Sequence, residues 1–582
     1  MRYRLAAGIA PGTWTARRVW LVAFLAFFAL AAAWALASPL TSVPDEPWHM
    51  VKAAATVRGQ FHGTPITVVE HGRTGNTSVP MTGYRLPTAY SFLTNLHECY
   101  YTDPHVAASC AKALTAQSGT ALAGTTAGSN NPLYYLAVGW PSLLSGGPVG
   151  MYGMRLVSAA LSSAMLASAV VTAFQWSRRR RYLMTAVLAA ATPMVLFLNG
   201  AVNPNSLEAT SAILLWMAVL SLLTDPRPEL VPRLLTRVGV AALALVSVRQ
   251  LGPAWALVII VCAALAGQRG TLRDTLRRRT VWLWTAIVGV VGLGSIAWTA
   301  RFSVLGSTAA NHPNLTFSVA ARQTFAETTA YLRQMIGYFG WLDVQPPYHL
   351  ASLWYIPVLA LLIGACLVGG PREVTALVLL AVSVVAIPVV AQGRQAQTLG
   401  YIWQGRYLLA VAAGLPLLAA AILAKREPRW GWLDRVVNRL PMPVTVSTLV
   451  LGFLMFGTTL RRYAVGTRGP WLTLHPAWSP PGSVLGVVLL YLVGAGLAGL
   501  VMLAAGRETA PTPVGAADGD GVSADAESAV EVPALAGAAA GTANGTANGA
   551  TQHLNGSNPA AATAAAPDSD TGDRDTAVAS AS

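Results

Sequence analysis

The chain has 582 residues, of which 54% are hydrophobic and 11% charged, and its mean hydropathy is +0.49. A soluble globular chain averages about 25% charged residues, so an ordinary soluble enzyme is excluded, and so is disorder along the whole length. The net charge of +15 conceals two opposite parts. From Glu508 onward ten acidic residues face one basic residue, Arg574, so this tail carries −9 and the preceding body +24.

In chain order, residues 1–18 form a short N-terminal segment ending in Arg17-Arg18. Apolar runs then follow at about 19–38, 153–175, 182–200, 206–223, 235–249, 252–267, 281–300, 351–369, 374–391, 407–424, 442–460 and 483–505. Runs of about 20 apolar residues read as membrane-spanning helices. The expectation is therefore an all-α polytopic membrane protein with about twelve transmembrane helices and a domain over 19–505. The fifth and sixth runs are short, and Arg249-Gln250 separates them, so a hairpin that does not fully cross is an alternative. The first run reads as an anchor, not a removed signal peptide.

Arginine clusters set the orientation, because Lys and Arg near span ends favour the cytoplasmic side. Arg17-Arg18, Arg178 to Arg181, Arg227/Arg233/Arg237, Arg269 to Arg279 and Lys425 to Arg439 all fall on one side if there are twelve spans. This pattern of loop clusters speaks against nucleic-acid binding. It predicts a multi-pass membrane protein with cytoplasmic termini. A large extracytoplasmic loop with juxtamembrane helices is expected at 39–152, and a second such loop at 301–350. The tail at 506–582 is rich in Ala, Gly, Thr and Asn, with Gly-Thr-Ala-Asn at 541–544 repeated at 545–548. It is expected to be disordered and without a role in chemistry, because it cannot bury enough surface to offset its chain entropy.

Cys99 and Cys110 share the first loop, and a disulfide is the favoured reading in an oxidising compartment. A zinc site with His97 and His105 matches no standard spacing. Cys262 and Cys366 lie in apolar runs and read as packing residues.

Only fourteen acidic residues precede the tail, and Asp45, Glu46, Glu70, Glu98, Asp103, Glu208, Glu327 and Asp343 form the outer set. Asp45 and Glu46 are adjacent, a few residues past the first run, in Pro44-Asp45-Glu46-Pro47-Trp48-His49. Pro47 suits the first turn of a helix over about 47–58, with Glu46 at the N-cap, and His49 and Lys52 share one face of it. The plainer alternative is a capped surface helix. Tyr134 and Tyr135, in Asn131-Pro132-Leu133-Tyr134-Tyr135, read either as site residues or as an interfacial aromatic belt. Arg155 at the start of the second run reads either as functional or as a snorkelling side chain. Asn203-Pro204-Asn205 with Glu208 reads either as a site or as a capped turn.

Gly337-Tyr338-Phe339-Gly340-Trp341-Leu342-Asp343 looks like a shaped loop that would stack a sugar on an aromatic face or lie on the bilayer. Gln404-Gly405-Arg406-Tyr407 places an arginine at the top of a span. A guanidinium forks two phosphate oxygens, and snorkelling is again the alternative. An outer-face site acting on a lipid-linked phosphate needs these residue types: a carboxylate base, cations for the departing phosphate and aromatic faces.

These motifs resemble the GT-C superfamily of membrane glycosyltransferases, and are most similar to a large bacterial family of multi-spanning proteins of unknown function. The resemblance spans about residues 19–460. It is carried by Pro44-Asp45-Glu46-Pro47 through His49 and Lys52, by Pro132-Leu133-Tyr134-Tyr135, by Asn203-Pro204, by Gly340-Trp341-Leu342-Asp343 and by Gly405-Arg406-Tyr407. It implies a polyprenyl-phosphate-linked sugar donor and transfer on the outer face to a glycan or lipid acceptor within membrane lipid. It also implies that Asp45 is the base, with Glu46 as neighbour or alternate, and that Arg406 meets the donor phosphate. Lys52 or Arg249 would assist; His49, Tyr134, Tyr135, Trp341, Asp343 and Tyr407 complete the expected substrate site. Asn131 stands where relatives often have a second proline, and Asn205 where many have Asp, so Asn205 receives little catalytic weight. No metal is assigned. A divalent cation would sit on Asp45 and Glu46, but further ligands are not evident.

The leading reading is an inverting glycosyltransferase of the cell envelope. A transporter or flippase of lipid-linked glycans would want charges deep within the spans. A glycan polymerase or ligase shares the many spans and the outer arginines. An inert scaffold is the plain alternative.

Overall fold

The computed structural model describes residues 14–72, 75–114, 118–302, 312–426, 431–471 and 475–505. The acidic tail at 506–582 and most of the segment 1–18 lie outside the described residues.

Helix α1 (Ala16–Ala37) begins where the Thr15 side chain accepts from the Arg18 N–H. It leads into a segment holding helix α2 (Glu46–Val57), strands β1 (Thr64–Gly72), β2 (Gly75–Pro87) and β3 (Thr120–Thr125), and helix α3 (Pro132–Gly139). The bundle resumes with α4 (Pro148–Phe174), α5 (Arg180–Ala190), α6 (Pro193–Asn199), α7 (Pro204–Thr224), α8 (Val231–Val248), α9 (Gly252–Ala266) and α10 (Arg279–Phe302). Short helices α11 (Phe317–Ala326) and α12 (Thr328–Gly337) precede α13 (Tyr348–Val368), α14 (Pro371–Leu399), α15 (Gly405–Lys425), α16 (Pro441–Val465) and α17 (Ser483–Leu500).

Among the described residues ten helices are long and apolar enough to cross a membrane, and α5 with α6 makes an eleventh if that bent pair is one span. This agrees with the expected architecture of about twelve, and the difference falls at two places, the second in the short runs for which incomplete crossing was the alternative. The 182–200 run is broken by 64° between α5 and α6, where Pro193 opens a new helix capped by the Thr192 side chain. The 252–267 run forms a helix of 15 residues, about 22 Å long, which is short of the roughly 30 Å hydrocarbon core.

Helix α7 is the centre of the bundle, and all 21 of its residues are buried. It packs against α4, α8 and α9. Several of its polar side chains are satisfied within the protein: the Ser206 hydroxyl donates to the Asn203 carbonyl, and the Trp216 indole donates to the Ala410 carbonyl at 3.1 Å. Helix α1 lies against α4 and α17, with Ala26, Ala29, Ala31, Ala32, Ala33, Ala35 and Ala37 buried. Small residues of this kind let helix backbones approach closely, which is how helices gain contact in lipid. By contrast, α10 buries only Gly292 and Ser295 and turns Trp282, Leu283, Val290 and Leu293 outward.

The segment after α1 was expected to be a large loop with juxtamembrane helices. It also contains an antiparallel sheet of order β1-β2-β3. Thr64 pairs with Gly83, and Thr82 with Thr125. The β-branched residues of β1 suit a pleated surface, and Ile66 lies over both Gly83 and Gly124 on one face. Cys99 and Cys110 form a disulfide in the same segment. Arg462 of α16 donates to the Tyr100 and Val106 carbonyls, tying that disulfide loop to the bundle.

Candidate active site

The turn that leaves α1 is held by one arginine. Arg155 of α4 is fully buried, and its Nε and Nη2 donate to the two Glu46 carboxylate oxygens at 2.7 and 2.5 Å. Its remaining N–H groups reach the carbonyls of Ala35, Ser38 and Pro39 at 2.6 to 2.8 Å. Glu46 also accepts from the Thr41 and Val202 amides, each at 3.1 Å. A buried carboxylate with four donors is an anchor and has no oxygen free to take a proton. The expectation that Glu46 serves as a neighbouring or alternate base is therefore corrected. Arg155 does not snorkel; it closes this anchor.

Glu46 is also not the N-cap. Asp45 occupies that position in the left-handed region, at φ 63°, and its side chain makes no cap hydrogen bond. A non-glycine residue held there costs about 1–3 kcal/mol unless its surroundings fix it. The Glu46 anchor fixes one side, and the Asn203 amide, donating to the Pro44 carbonyl at 2.9 Å, fixes the other. The result frees the Asp45 carboxylate from capping and turns it toward α15. Its Oδ2 lies 2.6 Å from Arg406 Nη2, and the side chain is 32% exposed.

Arg406 is buried, yet its Nε and Nη1 have no hydrogen-bond partner. An unpaired buried N–H group costs about 1–3 kcal/mol, so these two mark a place for an acceptor. Beside them stands Tyr407, whose ring centre is 5.2 Å from the Arg406 guanidinium and 4.8 Å from that of Arg249. Arg249 is held from α7: its Nη1 donates to Asn205 Oδ1, and its Nε is 3.9 Å from Glu208 Oε2. Glu208 in turn accepts from the Trp255 indole at 3.0 Å. Asn205, discounted in the sequence, thus positions one of the two guanidiniums.

Aromatic side chains line another edge. Trp341 meets Trp48 edge-on at 5.4 Å, His97 stacks on Trp341 at 4.6 Å, and the Trp341 indole donates to the Thr41 carbonyl at 3.0 Å. Asp343 was expected to touch substrate, and this is corrected. Its Oδ1 accepts from the Trp341 amide at 2.8 Å, and its Oδ2 is 3.4 Å from Arg462 Nη2. It shapes the loop that presents Trp341. Burial pushes the Asp343 carboxyl up to about 6, against the opposing pull of Arg462.

His49 Nδ1 and the Tyr135 hydroxyl are 2.8 Å apart, and the Asn130 amide donates to the same hydroxyl at 2.8 Å. The Tyr135 proton therefore goes to Nδ1, and His49 is neutral. Burial lowers its pKa to about 3; Asp45 opposes this, while Arg249 and Arg406 reinforce it. Tyr135 is fully buried and acts through His49. Tyr134 is buried against α4, with its hydroxyl 3.0 Å from Ser158 Oγ, so neither tyrosine is placed to contact a substrate directly. Lys52 is corrected as well. Its three ammonium protons are taken by the Phe61 carbonyl, the Tyr84 hydroxyl and the Gly128 carbonyl, at 2.9 to 3.1 Å. It ties α2 to the sheet.

The five sequence motifs thus converge: Pro44-Asp45-Glu46, the Tyr134-Tyr135 pair, Asn203-Pro204, Gly340 to Asp343 and Gly405-Arg406-Tyr407 surround one carboxylate and two guanidiniums. A family model described as "Predicted membrane protein (DUF2142)" matches residues 27–415, which contain every one of these motifs. The chain belongs to that family. No curated protein matches the sequence. Solved structures similar to the chain are those of ArnT from Cupriavidus metallidurans, bound to undecaprenyl phosphate (14% identity, TM-score 0.37) and in the apo state (13% identity, TM-score 0.39). Each match covers 84% of this chain and 77% of the other.

The donor set of this family member does not fit a divalent cation. Glu46 is occupied by Arg155, Asp45 faces a guanidinium, and among the described residues no group of three or more His, Cys, Asp or Glu could hold a metal ion.

Sequence reasoning missed His97 and Asn130 as supports of the site, and left Arg155 and Asn203 open between a functional and a plain reading. Arg155 carried a usable signal: a guanidinium within two turns of the start of an apolar helix, in a chain with few carboxylates, needs a buried partner. The supporting role of Asn130 had no local signal, because it depends on Tyr135 and His49 meeting across 86 positions.

Proposed function

We propose that the chain is an inverting glycosyltransferase of cell-envelope assembly. It moves a sugar from a polyprenyl-phosphate donor to a glycan or lipid acceptor at the outer face of the bacterial plasma membrane. The observation that carries this reading is a partly exposed carboxylate, Asp45, against a buried arginine that keeps two N–H groups unpaired. A second guanidinium across Tyr407 completes a grip for an anion.

Donor phosphate oxygens accept from Arg406 Nε and Nη1, and Arg249 supports the developing negative charge. The phosphate competes with Asp45 for Arg406, which releases the carboxylate. Asp45 then takes the proton of an acceptor hydroxyl. The hydroxyl oxygen forms a bond to the anomeric carbon from the face opposite the phosphate, the carbon–oxygen bond to phosphate breaks, and polyprenyl phosphate leaves with the electron pair. Configuration inverts because there is one displacement. Neutral His49 stays beside the site without adding charge. The unit that carries this chemistry is 19–505, with the tail taking no part.

The test is Asp45→Asn in membranes supplied with a polyprenyl-phosphate sugar. Transfer should fall by about 10²–10⁴-fold, the range of a general base, with expression retained. Undiminished transfer would remove Asp45 from this role.

A further inference from the structure

A second cleft lies beside the Gly405 turn. It has a volume of about 670 Å³ and is lined by Arg322, Gln323, Glu327, Tyr331 and Tyr401. That volume is within the range of small-molecule sites. Three elements build it: α11, the first turns of α12, and the loop between α14 and α15. Each is fixed. Helix α11 packs along α14. The 400–403 loop is held by Gln392, whose amide donates to the Gly400 carbonyl and whose oxygen accepts from the Ile402 and Trp403 amides. The Gln334 side chain of α12 accepts from the Gly405 amide at 2.7 Å.

The chemistry of the walls is mixed. Tyr401 is 47% exposed, and a tyrosine ring offers an apolar face with a polar edge. Glu327 lines the cleft and accepts from the Gln323 amide at 3.3 Å. Arg322 and Gln323 supply N–H donors. An aromatic face together with both donors and acceptors of opposite charge suits neutral hydroxyl-rich rings, whose hydroxyls donate and accept at once. A phosphate would be opposed by Glu327.

The cleft also adjoins the proposed transfer site. A methyl group on Gly405 would lie 2.2 Å from the Tyr331 carbonyl, so the cleft wall and the turn carrying Arg406 touch where only glycine fits. Between them, Trp403 meets Tyr407 edge-on at 5.8 Å and keeps an unpaired indole N–H.

We propose that this cleft is a saccharide subsite that holds the acceptor glycan while its reacting hydroxyl lies at Asp45. The proposal rests on the transferase reading, but its binding arm does not need turnover. In that arm, the full chain in nanodiscs is titrated by calorimetry with neutral gluco-, manno- and galacto-oligosaccharides. At least one series should bind, and Tyr401→Ala and Glu327→Gln should each weaken it about tenfold. In the turnover arm, the same two variants should raise the acceptor KM about tenfold, with kcat and the donor KM unaltered.

Absence of binding by every series, or binding insensitive to both variants, overturns the subsite. A changed donor KM with an unchanged acceptor KM also overturns it, by assigning the cleft to the donor. Saccharide binding that depends on Tyr401, in a protein showing no transfer, supports the subsite and sinks the transferase reading alone.

Discussion

Asp45 Oδ2 and Arg406 Nη2 stand 2.6 Å apart, although 361 positions separate them in the chain. The pair joins the exit of the first span to the entry of α15. It also leaves the arginine with two further N–H groups that no protein atom satisfies. An ion pair built only for stability would satisfy them, since buried N–H groups are rarely left unpaired.

Arg406 is therefore predicted to be sensitive to shape as well as charge. Arg406→Lys keeps a cation but loses the planar fork. Transfer should fall by about 10- to 100-fold, and by about 10²–10³-fold for Arg406→Ala, the scale of losing a preorganised donor to a transition-state anion. The check is donor kcat/KM in membranes at constant expression. Equal activity of the lysine variant and the wild type would leave only a charge requirement.

The Glu46–Arg155 anchor predicts a stability effect instead. Removing one partner of a buried ion pair costs about 3–5 kcal/mol, because the other charge is left uncompensated. Glu46→Gln and Arg155→Met should each lower the unfolding temperature in detergent. The double variant should cost less than the sum of the two, since neither charge is then stranded. Simple additivity would argue that the two side chains do not act on each other.

Gly340 tests the loop that presents Trp341. Its φ is +60°, and a methyl group there would lie 2.1 Å from Asp343 Oδ1. Gly340→Ala must either strain the backbone or push Asp343 off the Trp341 amide, at about 1–3 kcal/mol. Transfer should drop about tenfold or more while membrane insertion is unchanged. Full activity with unchanged stability would show that the Trp341 position does not matter.

Much of the bundle was legible because hydropathy records span length directly. All twelve apolar runs correspond to helices, and the count of spans differs only at the break at Pro193 and at the 15-residue helix α9, whose shortness was already visible in the sequence. The convergence of the motifs was legible as a list of residue types, but the division of labour was not. Asp45 and Glu46 are adjacent carboxylates, yet one is fully buried on Arg155 and the other is partly open beside Arg406. That distinction comes from the left-handed turn at Asp45, which points successive side chains in different directions, and nothing in the local sequence requires it. Lys52 misled for a similar reason, since its three acceptors come from separate places in the chain.

His49 predicts the pH dependence of stability. Its pKa is about 3 in the folded chain, against an ordinary value of 6.5, and burial is the main cause. The charges around it are Asp45, which opposes the shift, and Arg249 and Arg406, which add to it. Between those two pH values the unfolded chain binds a proton and the folded chain does not. Stability is thus full above pH 6.5 and declines as the pH falls toward 3. At about 1.4 kcal/mol per pH unit, lowering the pH from 7 to 5 should remove about 2 kcal/mol through this residue. His97, lowered to about 4 by burial, acts in the same direction. Replacing His49 by Gln keeps an acceptor for Tyr135 and removes the titration. Unfolding of the wild type and H49Q should therefore converge as the pH is lowered from 7 to 5, with the wild type losing about 2 kcal/mol more. Parallel losses in the two proteins would mean that His49 is already charged, or free to become so, in the folded state.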